Sequence, residues 1–173
     1  MLIIADNSPL RYLIVIDCVH VLPVLFGRVL IPAAVWEELQ HPHTPAVVRA
    51  WMTHPPAWLE VRAITGAPDV TVAELEAGEQ EAIVLARELH ADLLLIDDGR
   101  GREIAFGQGL RPMGTVGVLE QAAVSGLVDF PTVIARLLHT NFRITADIIN
   151  NALARDAARK AAAQGQPPNP QGT

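Results

Sequence analysis

Two short, almost purely apolar runs end abruptly in carboxylate: Leu2-Ile3-Ile4-Ala5-Asp6 and Leu93-Leu94-Leu95-Ile96-Asp97-Asp98. Apolar runs without polar alternation read as strands buried on both faces, the signature of a parallel sheet covered by helices. Ligands of open α/β sheets bind outside the carboxyl ends of the strands, where these acids stand. Two further acid pairs, Glu37/Glu38 and Glu79/Glu81, fall in segments with helical patterning. Carboxylates gathered by folding oppose one another's ionisation. A hard divalent cation relieves that repulsion, and oxygen ligands favour Mg²⁺ or Mn²⁺.

The rest of the chain alternates in the same way. Ser8 as N-cap and Pro9 at the first helical position open a helix to about Asp17, and a short helix spans 19–26. Arg28-Val29-Leu30-Ile31 repeats the buried-strand pattern, and Pro32 opens a helix through Leu39. Residues 46–53 read as helix and Trp58 to Ala63 as a strand at the sheet edge. Helical spacing then runs from about Val72 to His90, interrupted by Gly78. After Asp98, Gly99-Arg100-Gly101-Arg102 turns into a helix through Phe106, and 111–115 is a last strand before a helix over 116–124. Helices over 131–139 and 145–163 follow. This alternation predicts an α/β fold with a mainly parallel sheet.

The 173 residues fit one domain, expected over 1–163, with helices 131–163 as a candidate partner-binding extension and 164–173 as a flexible Pro- and Gly-rich tail. Cys18, the single cysteine, excludes an internal disulfide framework and any multi-cysteine zinc site, and reads as a core residue. No basic leader or apolar span of about 20 residues is present, so a cytoplasmic protein without a membrane segment is expected. The net charge of −6 argues against a general nucleic-acid coat. It is unevenly placed: residues 1–129 hold 8 basic and 17 acidic side chains, residues 130–173 hold 5 and 2.

The order of motifs resembles the PIN-domain nucleases, and within them the branch related to VapC-type toxins of toxin–antitoxin pairs. The matching segments are Ile4-Ala5-Asp6-Asn7-Ser8-Pro9-Leu10, Ile31-Pro32-Ala33-Ala34-Val35-Trp36-Glu37-Glu38-Leu39, Gly78-Glu79-Gln80-Glu81-Ala82-Ile83-Val84-Leu85-Ala86, Leu94-Leu95-Ile96-Asp97-Asp98-Gly99-Arg100-Gly101-Arg102 and Gly114-Thr115-Val116-Gly117-Val118-Leu119. The resemblance implies a three-layer α/β/α sandwich and a Mg²⁺- or Mn²⁺-dependent endoribonuclease. It also implies a homodimer held in check by an antitoxin protein. Carried over by position, Asp6, Glu38, Glu81 and Asp98 match the acids of the family, with Asp97 a further candidate ligand and Glu79 an alternative to Glu81. Ser8 matches a small polar residue near the first acid. Gly99-Arg100-Gly101 stands where many members carry one more acid, which leaves a full two-metal site in question.

In that chemistry the carboxylates hold the cation, which polarises a phosphoryl oxygen and acidifies water for in-line attack. Arg100 and Arg102 are candidate phosphate contacts, and Ser8 and Thr115 are helix caps that also qualify as substrate contacts. Asp6 and Asp98 have a plainer reading as helix caps, and strand alternation sends Asp97 and Asp98 to opposite faces. A receiver or phosphatase of the haloacid-dehalogenase type would need an Asp-x-Asp pair or a well-placed lysine, and the lone lysine is Lys160. A catalytically silent PIN-like module that binds RNA or protein is the remaining alternative.

Overall fold

A computed structural model describes residues 1–164. The expected tail, apart from its first residue, lies outside the described residues. The elements run β1 (Ile3–Ala5), α1 (Asn7–Val15), α2 (Val21–Phe26), β2 (Val29–Ile31), α3 (Ala33–Gln40), α4 (Ala46–Met52), β3 (Leu59–Val61), α5 (Ala77–Glu88) and β4 (Leu93–Leu95). They continue with α6 (Gly99–Gly107), β5 (Pro112–Met113), α7 (Thr115–Val124), α8 (Phe130–Leu138) and α9 (Ala146–Gln164). The chain divides into two compact units, Met1–Val118 and Leu119–Thr173.

The first unit holds a parallel sheet in the order β3-β2-β1-β4-β5. This is the expected α/β sandwich, and the strand order shows where a ligand belongs. From β1 the chain proceeds outward to β2 and β3, then returns to β4 on the other side of β1 and ends at β5. The reversal opens a crevice at the carboxyl ends of β1 and β4, the topological switch point. Asp6 follows β1 directly, its amide donating to the Leu95 carbonyl at 2.9 Å, and Asp97 and Asp98 close the β4 run.

Alternation sorts the strand residues between faces. Ile4, Leu30, Leu94 and Ile96 join Ala82, Ile83, Leu85 and Ala86 of α5 and Ala105 of α6 in one core. Ile3, Ala5, Val29, Ile31, Leu93 and Leu95 point to the opposite face and are buried as well. Both faces being covered, the central strands are apolar throughout. By the same period of two, Asp6 and Asp98 share the α5 side while Asp97 faces away.

Three local differences from the sequence reading have physical causes. The edge strand shortens to Leu59–Val61, where only Leu59 is buried. The helix expected from Val72 starts at Ala77, because Glu76 and Glu79 form a capping box that fixes the first turn there. Ahead of it, Asp69 accepts hydrogen bonds from the Thr71 amide and hydroxyl and holds residues 70–74 as separate turns. Cys18 is buried as expected.

In the second unit, α8 starts at the N-cap Asp129, whose carboxylate accepts from the Thr132 amide and hydroxyl. Lys160 of α9 bridges Asp129 and Asp156 at 2.9 Å each, and Asp156, almost fully buried, also pairs with Arg159. Among the described residues no helix is long and apolar enough to cross a membrane.

Candidate active site at the sheet switch point

Asp6 is 2% exposed and caps α1, its Oδ2 accepting the Ser8 amide at 3.3 Å. Its Oδ1 is buried without a hydrogen-bond partner among the described residues, and so is Oδ1 of Asn7. Burial pushes the Asp6 carboxyl up to about 7; the Asn7 and Ser8 amides oppose this, and the negative charges of Glu79 and Glu38 add to it. A buried acceptor left unpaired calls for an explanation, and a catalytic role or a bound ion is among those that fit a carboxylate among like charges.

Glu38, from α3, accepts the Gly78 amide at 2.8 Å and is hydrogen-bonded by the Asn7 side chain. Burial raises its pKa foremost, these hydrogen bonds lower it, and the charges of Glu76 and Glu81 raise it further. Gly78 gives this contact its room: a Cβ there would lie 2.5 Å from Glu38 Oε2 and displace the carboxylate. In return, Glu81 of α5 accepts the Ala34 amide at the start of α3, at 3.0 Å. The two helices thus cap each other's N-termini, each placing a carboxylate at the positive end of the other's dipole.

Glu79 stands beside that brace. Its pKa is pushed up to about 7 by burial first and by the charge of Asp98 second, with Glu76 and Glu38 contributing. Its carboxylate also accepts the Glu76 amide at 3.2 Å. Asp98 caps α6, accepting the Gly101 amide at 2.7 Å, and Gly101 has no room for a side chain because a Cβ would meet Ile96 Cδ1 at 2.6 Å. Asp6, Glu38, Glu79 and Asp98 are therefore electrostatically coupled members of one cluster.

Asp97 is committed elsewhere. It accepts the Thr115 amide at 2.7 Å and the Thr115 hydroxyl at 2.6 Å, and it faces the charges of Arg102 and Arg11. Burial raises its pKa, which the Thr115 contacts and the two arginines counter. Thr115 is fully buried. Arg100 pairs with Glu74 at 2.7 Å and with Glu103 at 3.3 Å, along the exposed side of α6.

The donor chemistry fits a hard divalent cation: several coupled carboxylates, with one buried oxygen of Asp6 and one of Asn7 unspent. The cage is not closed, since among the described residues no three His, Cys, Asp or Glu side chains stand where they hold an ion together. Glu38, Glu79, Glu81 and Asp98 each spend an oxygen on a backbone amide instead.

Sequence reasoning did not find Arg11. It lies four residues after Asn7, so both occupy one face of α1. Together with Glu38, Glu76 and the His41–Thr44 loop they line a cavity of about 410 Å³ beside the cluster. The spacing from Asn7 was the available signal.

A family model for the PIN domain, DUF3368, matches residues 2–157 of the chain. No curated protein matches. Among solved structures, a PilT N-terminus domain protein from the hyperthermophilic archaeon Sulfolobus solfataricus P2 is similar. It is 17% identical, covers 84% of this chain and 100% of its own, and superposes with a TM-score of 0.49.

Proposed function

The chain belongs to the PIN-domain family, whose members are generally nucleases, and we propose that it is a divalent-metal-dependent endoribonuclease acting as the toxin of a toxin–antitoxin pair. The observation that carries the nuclease reading is Asp6, a buried carboxylate with an unspent oxygen among like charges at the switch point. The toxin reading rests on the order of motifs, and a homodimer and an antitoxin partner go with it.

In this reading Asp6, Glu38, Glu79 and Asp98 hold Mg²⁺ or Mn²⁺. Glu79 is taken in preference to Glu81, because its charge couples to both Asp6 and Asp98 while Glu81 braces α3. When bound, the ion offsets negative charge on the phosphate and activates water for attack at phosphorus. The residues do the rest. Asn7 orients Glu38, and Arg11, which lines the cavity beside the acids, carries a guanidinium suited to phosphate oxygens; Arg102, whose charge acts on Asp97, is a further candidate. Glu38 and Glu79, whose carboxyl pKa values burial raises, would in their ionised form take a proton from the attacking water. Ser8 and Thr115 contribute as donors: Asp6, not Ser8, is the N-cap of α1 and accepts the Ser8 amide, and Thr115, the first residue of α7, donates its amide and hydroxyl to Asp97.

Cleavage of single-stranded RNA with and without Mn²⁺, by the parent and by Asp6→Asn, tests the reading. Cleavage by the parent with Mn²⁺ alone supports it, and equal cleavage by Asp6→Asn defeats it. The open arrangement of the acids favours one second reading, a silent module that binds RNA or protein. That reading gains if neither Mg²⁺ nor Mn²⁺ raises the melting temperature.

A further inference from the structure

The cavity beside the acids has features the chemistry of phosphate cleavage does not require. At about 410 Å³ it lies in the size range of small-molecule pockets. Its outer wall is the loop after α3, and that loop is pinned. The Thr44 hydroxyl donates to the Glu38 carbonyl at 2.7 Å, the Thr44 amide donates to the His41 carbonyl at 2.9 Å, and Pro42 and Pro45 restrict the backbone. His41 and His43 meet edge to face with ring centroids 4.9 Å apart. The His43 amide donates to His41 Nδ1 at 3.3 Å.

We propose that this cavity receives one nucleobase of the RNA strand and selects guanine. The inference rests on the ribonuclease reading for the identity of the strand. Three observations carry the choice of occupant. The flat imidazole faces of His41 and His43 are stacking surfaces of the kind that hold unstacked bases. Arg11, fixed over the Tyr12 ring at 4.7 Å and donating to its hydroxyl at 3.0 Å, supplies a guanidinium for the adjoining phosphate. The hydrogen-bonding groups are mainly acceptors: the exposed Glu37 carboxylate makes no hydrogen bond or ion pair among the described residues, and Glu38 and Glu76 also line the cavity.

Guanine is the base that answers such a wall. Its N1–H and exocyclic N2–H₂ lie side by side and match the two oxygens of one carboxylate. Uracil offers one N–H between two carbonyls, and cytosine and adenine pair their amine with a ring acceptor; each would bring a lone pair against Glu37. A site built to accept hydrogen bonds disfavours a partner that cannot donate them, because its own groups are then left unsatisfied.

The test is titration calorimetry of the full chain, in EDTA so that no RNA is cut, with the pentanucleotides UUGUU, UUAUU, UUCUU and UUUUU. We expect UUGUU to bind at least about tenfold more tightly than the others, a difference of about 1.4 kcal/mol. Glu37→Gln should abolish that preference, and Arg11→Gln should weaken all four alike. Equal affinity for the four, no binding of UUGUU, or an undiminished preference in Glu37→Gln overturns the proposal. A parent that prefers UUGUU yet cuts no RNA with Mn²⁺ refutes the ribonuclease reading and leaves the pocket standing. RNA cleavage accompanied by equal pentanucleotide affinities refutes the pocket alone.

Discussion

Burial of the Asp6 carboxyl, with the charges of Glu79 and Glu38 adding to it, sets the behaviour of the apoprotein. The carboxyl is pushed from 3.8 up to about 7 in the folded state, so the folded chain binds a proton more tightly than the unfolded one. The associated stability is complete below pH 4 and is lost as pH rises through about 7. Without divalent cation, the melting temperature should therefore fall between about pH 4 and pH 7, and Asp6→Asn should flatten that slope. At pH 8 the variant should be more stable than the parent by roughly 1–3 kcal/mol while losing activity, since it removes a buried uncompensated charge. Denaturant melts of both proteins across that range give the answer, and an unchanged slope in Asp6→Asn would remove Asp6 as its source. That Asp97 and Asp98 face opposite ways was readable from strand alternation; that Asp98 is the one on the Asp6 side follows from the register of Ile4 with Leu94. Which glutamate of α5 joins them was not, because Glu79 and Glu81 both lie near the first turn and the choice depends on where α3 packs.

The element that determines that choice is the reciprocal brace between α3 and α5. Glu38 caps α5 at Gly78, and Glu81 caps α3 at Ala34. These partners are 40 and 47 residues apart in sequence, beyond the reach of any local pattern. Periodicity over 77–88 identified the helix, and Gly78 read only as an interruption in it. Its role as the clearance for a carboxylate appears only when two helices meet. Gly78→Ala should destabilise the fold by about 1–3 kcal/mol through the crowded Glu38 carboxylate. Glu81→Gln should cost about 1 kcal/mol or less, because the amide oxygen still accepts from Ala34. It should also retain most RNA cleavage, whereas Glu79→Gln should lose it. A Glu81→Gln enzyme as inactive as Glu79→Gln would return the catalytic role to Glu81. The sequence overran the start of α5 for a related reason: a capping box two residues ahead of Gly78 outweighs the apolar spacing at Val72 and Leu75.

At the scale of the whole chain, the doubly wound strand order explains why acids from β1, α3, α5 and β4 converge at one edge, as ligand sites do in open α/β sheets. The sequence carried this plainly in its strands, which are apolar until they reach a carboxylate. It carried nothing of the Glu38–Gly78 contact, which joins two helices, whereas Asp98 caps its own helix α6, as a plain cap reading of the sequence expects, and Glu79 closes the capping box of α5. In the proposed nuclease these carboxylates, Asp6 foremost, bind a divalent cation. Titration of the apoprotein with Mn²⁺, read by the electron paramagnetic resonance of the free ion, tests it without reference to any substrate. We expect the parent to take up Mn²⁺ and Asp6→Asn to leave most of it in solution; uptake by neither protein, or equal uptake by both, would contradict the claim.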